Sequence, residues 1–440
     1  MRALALLATL LATLPLGFVA PYIGTLMWCW LSFMNPQLII YLPGLPVVYA
    51  AAVITAIGLV ISREPKRLPR NAAPWVLLAF ALSTTLSSLF ALDPTTSWEE
   101  WSKDIKGFVL ALTVMIVMNN RVRIHALVWV FVLSIAFFSL KGGIFTLMTG
   151  GTTHVQGIAG TVTGDNNNLG LIMVMSWPLL YYLRLQTANR YIRIGLLVVM
   201  GFTVTAVLGT YSRGAFLALS AVAGYFWWKA KQKITVGIFG LIVIVPAVLF
   251  MPRQWVDRIH TIDSYDTDSS AMGRLSQWGF AVRLATDRPL VGGGYDASES
   301  FYAVGKYYPD EHVLAYHSIW FEALGDHGVP GLALFIAVGL VGWRNASVVR
   351  RASRSRPELA WAGDLATMCQ VSLAGYYLAG TFLSMAYYDG YYTLFGMLAA
   401  LRELATNPAL LQADGKQRNA AAMPLALGAE STVGSRLPSA

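Results

Sequence analysis

A succession of apolar segments, most of them near the length that crosses a bilayer and joined by short polar loops, constrains this chain more than any other feature. The segments fall at roughly 3–34, 45–62, 73–92, 105–119, 124–147, 168–184, 192–210, 213–228, 234–251, 328–343, 364–385 and 390–404. Only 12% of the 440 residues are charged and 56% are hydrophobic. A soluble chain carries about a quarter charged residues, so most of this one must face lipid or other spans. The expected fold is an all-α polytopic membrane protein of about twelve transmembrane helices. Arg2 and the apolar stretch behind it resemble a signal peptide, but further apolar segments follow at once, and the stretch is expected to be a first span.

The net charge of +9 follows the same plan. Basic residues cluster in alternate loops: Arg63 to Arg70, Arg121 and Arg123, Arg184 to Arg193, Lys229 to Lys233, and Arg344 to Arg356. That alternation is the mark of cytoplasmic loops, and no basic stripe or aromatic platform points to nucleic acid. With Arg2 kept inside, parity requires an even number of spans before residue 63. One kinked span over 3–34, interrupted near Pro15 and Pro21, satisfies it; two short pieces are the alternative. Both termini are then cytoplasmic. Residues 1–404 form the membrane domain, and 405–440, rich in Ala, Pro, Ser and Gly, form a disordered cytoplasmic tail.

The opposite face collects 93–104, 148–167, 211–212, 386–390 and one large loop, 252–327. Within that loop Met272, Leu275, Trp278, Val282 and Ala285 recur at near-helical spacing, which predicts an amphipathic helix on the membrane surface. Cys29 and Cys369 lie in apolar sequence and give neither a disulfide framework nor a metal spacing.

Most residues able to do chemistry also fall on this outer face. Arg213 opens a span there, against the charge bias, and a guanidinium is a fork of donors matched to phosphate oxygens; snorkelling at a helix end is the plainer explanation. Arg274 starts the surface helix, and Arg253, Arg258, Arg283 and Arg288 share its loop. Headgroup binding accounts for most of these. His317 ends the loop, and a neutral imidazole suits a general base near neutral pH. Asp165-Asn166-Asn167-Asn168 either caps a helix or bonds sugar hydroxyls. Asp389 and several tyrosines crowd the same side, as an interfacial belt or as stacking surfaces for sugars. Asp266-Thr267-Asp268 has the form of a metal-holding acidic pair, but such a triplet arises easily in a polar loop. No HExxH, Walker A or GxSxG element occurs.

Three blocks, in order, resemble the O-antigen ligase and polymerase superfamily. They are Ser212-Arg213-Gly214-Ala215-Phe216-Leu217; Arg274-Leu275 with Trp278 and then Arg288-Pro289-Leu290-Val291-Gly292-Gly293-Gly294; and the run from His317 through Glu322, Asp326 and Gly328-Val329-Pro330-Gly331 to Leu332. The N-terminal Pro21-Tyr22-Ile23-Gly24 through Asn35-Pro36 is similar to O-glycosylation ligases found with exosortase systems. The resemblance implies a lipid-dependent membrane glycosyltransferase fold of the GT-C type in the bacterial inner membrane, with a periplasmic active site. It implies transfer of a glycan from undecaprenyl pyrophosphate to lipid A-core, with inversion and without metal or other cofactor. Arg213 and Arg274 would grip the pyrophosphate and His317 would be the catalytic histidine. Ser318 stands where many relatives have asparagine. Tyr316, Ser318, Arg288, Asn167 and Asp389 are the expected substrate-binding residues. A polymerase or a protein O-oligosaccharyltransferase would use the same donor; a transporter of lipid-linked glycan would need ionisable residues in mid-span, where Lys141 and Arg184 are the nearest candidates.

Overall fold

The computed structural model describes residues 2–40, 46–234 and 269–415, which are helical throughout apart from their connections. In chain order the helices are α1 (Arg2–Thr13), α2 (Leu16–Val19), α3 (Pro21–Met34), α4 (Pro36–Ile39), α5 (Val47–Ile61), α6 (Ala73–Leu89), α7 (Pro94–Val117) and α8 (Arg121–Met148). They continue as α9 (Asn166–Gln186), α10 (Arg190–Gly209), α11 (Arg213–Lys229), α12 (Ser269–Asp287), α13 (Phe301–Tyr307), α14 (Ile319–Arg354), α15 (Ala360–Gly380) and α16 (Asp389–Thr406). By length and composition α8, α10 and α14 can each cross a membrane, and α5 and α6 are shorter apolar helices. The expected span at 234–251 and the acidic pair Asp266 and Asp268 lie outside the described residues.

Helix starts obey local chemistry. Asp93, Asn120, Asp165, Asn189 and Ser212 each accept a backbone N–H from the first turn that follows, satisfying donors that a helix leaves unpaired. The interior is built by α8 against α10, α9 against α15, α7 against α16, and α14 against α15.

The N-terminal stretch takes the second of its two sequence alternatives. The chain folds back at Ala20, so that a Cβ built on Gly24 would lie 3.3 Å from the Cα of Gly17. In a continuous helix seven residues would separate those positions by about 10 Å. Gly58 of α5 packs against the Gly17 carbonyl. Residues 2–34 are therefore two short antiparallel pieces, which removes the single kinked crossing on which the placement of the N-terminus rested.

Helix α14 breaks its own pattern where the site is built. Gly328 has φ 67°, a conformation that favours glycine, and Pro330 brings no N–H. The carbonyls freed by this kink are taken up by the loop 289–294. Gly293 N–H donates to the Gly325 carbonyl and Gly294 N–H to the Asp326 carbonyl, each at 2.9 Å, while Val329 N–H turns to the Pro289 carbonyl at 2.9 Å. Ser87 Oγ of α6 lies 2.7 Å from the Asp326 carbonyl and 2.6 Å from that of Val291. The Gly325 and Asp326 carbonyls and the Val329 N–H thus find partners outside the helix.

The predicted surface helix is α12. Its expected stripe is divided: Met272, Leu275 and Val282 are exposed, whereas Ala285 is buried with Phe280, Ala281 and Leu284 of the same helix and Trp278 is half-buried. The C-terminal boundary moves: residues 408–415 are helical, and buried Asp414 accepts the Arg121 N–H at 2.9 Å.

Candidate functional site

Helices α9, α11 and α14 begin at one end of the bundle, and their first turns are tied together through the 379–388 segment and the turn at 210–212. Asn166 Nδ2 donates to the Thr210 carbonyl at 2.7 Å, joining the start of α9 to the turn before α11. Gly214 of α11 lies against the Ala379 carbonyl and Phe382. The His317 N–H, just before α14, donates to Ser384 Oγ at 2.9 Å. Helix N-termini carry partial positive charge, so their convergence makes a setting for an anion.

Two residues of this region adopt left-handed backbone conformations that side-chain-bearing residues seldom take: Tyr211 at φ 58° and His317 at φ 50°. Such a conformation persists where surrounding contacts over-determine it. Tyr211 Oη donates to the Gly151 carbonyl, and the Ser384 bond holds His317.

The segment that holds His317 is itself fastened by buried side chains. The Glu322 carboxylate accepts the Ala386 N–H at 2.8 Å, and Asp326 accepts the Tyr387 hydroxyl at 3.1 Å. Tyr376 and Tyr392 donate to the carbonyls of Met385 and Ala386, each at 2.7 Å. Trp320 Nε1 donates to Thr381 Oγ1 at 3.0 Å.

Arg274 is delivered by α12. Trp278, one turn further along, stacks on Phe321 at 5.0 Å between ring centroids and donates from Nε1 to the Tyr316 carbonyl at 3.0 Å. Residues four apart share a helix face, so Arg274 is directed toward the same 316–317 turn. Packing around the His317 ring, and then the Arg274 charge, lower its pKa below the ordinary value near 6.5, with the Asp165 charge acting the other way. The imidazole is accordingly neutral around pH 7, as a proton acceptor must be. Although the ring is partly packed, the residue keeps a face open to solvent.

The structure thus brings Arg274, His317 and Asp165 into electrostatic contact and places Arg213 on the adjoining helix start. Asn167 is half-buried in the first turn of α9. Tyr316 and Ser318 are buried beneath the His317 turn, with Ser318 fully so. Arg288 is directed elsewhere, its guanidinium donating to the Phe90 carbonyl beyond α6. Asp389 lies against Gly107 of α7. Ser384, Glu322 and Asp326 hold the site without having been singled out from the sequence as its residues. A serine in a turn and carboxylates in an apolar helix are signals only once their partners, some 60 residues away, are known. Among the described residues no group of three or more His, Cys, Asp or Glu side chains could hold a metal ion.

Residues 195–336 match the family of the O-antigen ligases, a range that holds Arg213, Arg274 and His317 together. That stretch is similar to the ligase domain of this family. An O-antigen ligase of Salmonella typhimurium is 26% identical to the chain over 308 residues, which cover 66% of this chain and 72% of that protein. Residues 1–188, ahead of that stretch, match a family of unknown function, DUF5935. The α9 start, with Asp165 and Asn167, lies within this second range, outside residues 195–336.

Proposed function

We propose that this protein is an O-antigen ligase of the bacterial inner membrane, transferring a glycan from undecaprenyl pyrophosphate to lipid A-core on the periplasmic side. The observation that carries the reading is a neutral histidine, its pKa lowered by burial and by Arg274, at the meeting of three helix starts, of which those of α11 and α14 fall within residues 195–336. The basic loops are placed on the cytoplasmic side by their charge, the membrane domain has about twelve spans, and the site lies at the opposite face.

In the proposed reaction the acceptor hydroxyl gives its proton to an imidazole nitrogen of His317. The hydroxyl oxygen forms a bond to the anomeric carbon as the bond from that carbon to the pyrophosphate oxygen breaks. The leaving pyrophosphate keeps the electron pair, and a single displacement inverts the carbon. Arg213 and Arg274, with the helix starts, stabilise the charge gathering on the leaving group. Metal and cofactor have no part in this scheme, and activity is expected to survive EDTA.

The test is transfer in vitro from a purified undecaprenyl-pyrophosphate-linked glycan, with lipid A-core and a protein acceptor offered separately. Transfer to lipid A-core that is lost in His317→Ala supports the ligase. Transfer to protein, or extension of the donor alone, assigns the protein O-oligosaccharyltransferase or the polymerase reading. Donor binding without any transfer brings forward a transporter.

A further inference from the structure

The far ends of α11, α14 and α15 enclose a second feature. A cavity of about 310 Å³ opens between them, lined among others by Val222, Tyr225, Lys229, Arg350, Gln370 and Leu378. It lies within the size range of small-molecule sites. The α15 positions that line it, Thr367, Gln370, Val371, Ala374, Gly375 and Leu378, recur at helical spacing along one stripe. That stripe is about 16 Å long, close to half of the ~30 Å hydrocarbon thickness and so to one leaflet. The walls along it are apolar; the cations stand at one end.

Those cations are set in place. Gln370 is 4% exposed, and its Oε1 accepts from Arg350 at 2.6 Å. Its Nε2 donates to Ser347 Oγ at 2.8 Å and to the Trp343 carbonyl at 3.2 Å, so the amide cannot turn away. Lys229 ends α11 beside it. Among the described residues neither Lys229 nor Arg350 has a carboxylate within ion-pair distance, and no acidic side chain lines the cavity. Two neighbouring cations in a partly apolar groove call for an anion. Trp228 and Trp343, both exposed, stand at the same level, as aromatic side chains do at the headgroup boundary.

We propose that this groove is a binding site for an anionic phospholipid. Its phosphate sits between Lys229 and Arg350, and one acyl chain lies along the α15 stripe toward Leu378. A basic pocket between transmembrane helices at the positively charged face is the setting in which acidic headgroups are bound, and the fork of Arg350 fits phosphate geometry. The occupant is a lipid rather than free phosphate because the apolar stripe gives a free ion nothing to bind.

The test is a native mass spectrometry titration of the full-length protein with phosphatidylglycerol and with phosphatidylcholine of the same acyl chains. Phosphatidylglycerol is expected to bind more tightly. The double variant Lys229→Gln, Arg350→Gln should weaken it roughly 20- to 30-fold, to the level of phosphatidylcholine. Lys229→Gln alone leaves the Arg350–Gln370 bond intact and should give part of that loss. Ala374→Trp keeps both cations, fills the stripe, and should exclude both lipids; these two variants decide the matter if the double variant does not fold. Equal affinity for the two lipids, or unchanged phosphatidylglycerol binding in Lys229→Gln and Ala374→Trp, overturns the proposal. Displacement of the lipid by millimolar inorganic phosphate would make this a site for the free ion and overturn it as well.

Discussion

The two ends of α11 place cations in opposite electrostatic circumstances. Lys229 stands in its last turn, where the helix carbonyls attract positive charge, as do Arg351 and Arg354 at the end of α14. Arg213 stands in the first turn, where the same dipole repels it. Each such placement is worth about 0.3–1 kcal/mol, favourable at one end and unfavourable at the other. A basic residue at a helix C-terminus is stable there with or without a bound anion, even where, as proposed for Lys229, it also takes one. A guanidinium at a helix start, beside two further helix starts, makes sense when an anion sits there. Position along the helix, and not the number of charges, decides whether a cation is favoured there by the helix or calls for an anion to offset its placement.

The contrast can be broken most directly at His317. His317→Ala is expected to lower glycan transfer about 10²–10⁴-fold, the range for loss of a general base; transfer within threefold of wild type would remove the site from this end. Arg213→Ala should cost about 10²–10³-fold in rate. Arg213→Lys should be clearly impaired, because it keeps the charge and loses the fork. Near wild-type transfer in Arg213→Lys would make Arg213 a snorkelling cation at a helix end, with no part in the chemistry.

Arg274→Ala sharpens the assignment of the base. The Arg274 charge disfavours the imidazolium, so removing it raises the His317 pKa toward the ordinary value. The acid limb of the transfer profile should then move to higher pH, a change that loss of grip on the donor alone would not produce. Ser384→Ala removes the bond to the His317 N–H and should reduce kcat about three- to tenfold, from the ~0.5–1.5 kcal/mol of one hydrogen bond, with little change in KM.

The smallest effects concern stability. Asp296, in the outer loop, has its pKa raised to about 7 by burial, Glu299 and Glu100, with Lys103 opposing. A raised carboxylate pKa favours the native state at acid pH, and that advantage is lost as pH climbs from the unfolded value of 3.8 through about 7. Asp296→Asn should therefore stabilise the protein by on the order of 1 kcal/mol at pH 8 and hardly at all at pH 4, read from melting temperatures. Arg351→Gln, in the last turn of α14, should lower stability by less than about 0.5 kcal/mol and leave transfer unaltered.

Much of this was open to reading along the chain. Apolar runs of near-membrane length located α8, α10 and α14, and Asp165 announced the helix it caps. These features depend on neighbours within one or two turns, and hydropathy and capping are local interactions. The blocks around Arg213, Arg274 and His317 were legible for the same reason, as short runs of residue types suited to phosphate and proton transfer. What the sequence by itself could not determine was which of these runs would meet. The fold-back at Ala20 needs Gly17, Gly24 and Gly58 from separate helices. The left-handed turn at His317 is held by Ser384, the acids of α14 are answered by the 386–387 turn, and the loop 289–294 closes the kink at Gly328. Arg288 and Asp389, chosen for their residue type, were led by packing to Phe90 and Gly107. Tertiary structure alone decided these pairings, because a buried polar group must find a partner wherever the chain supplies one, and the chain supplies it far away in sequence.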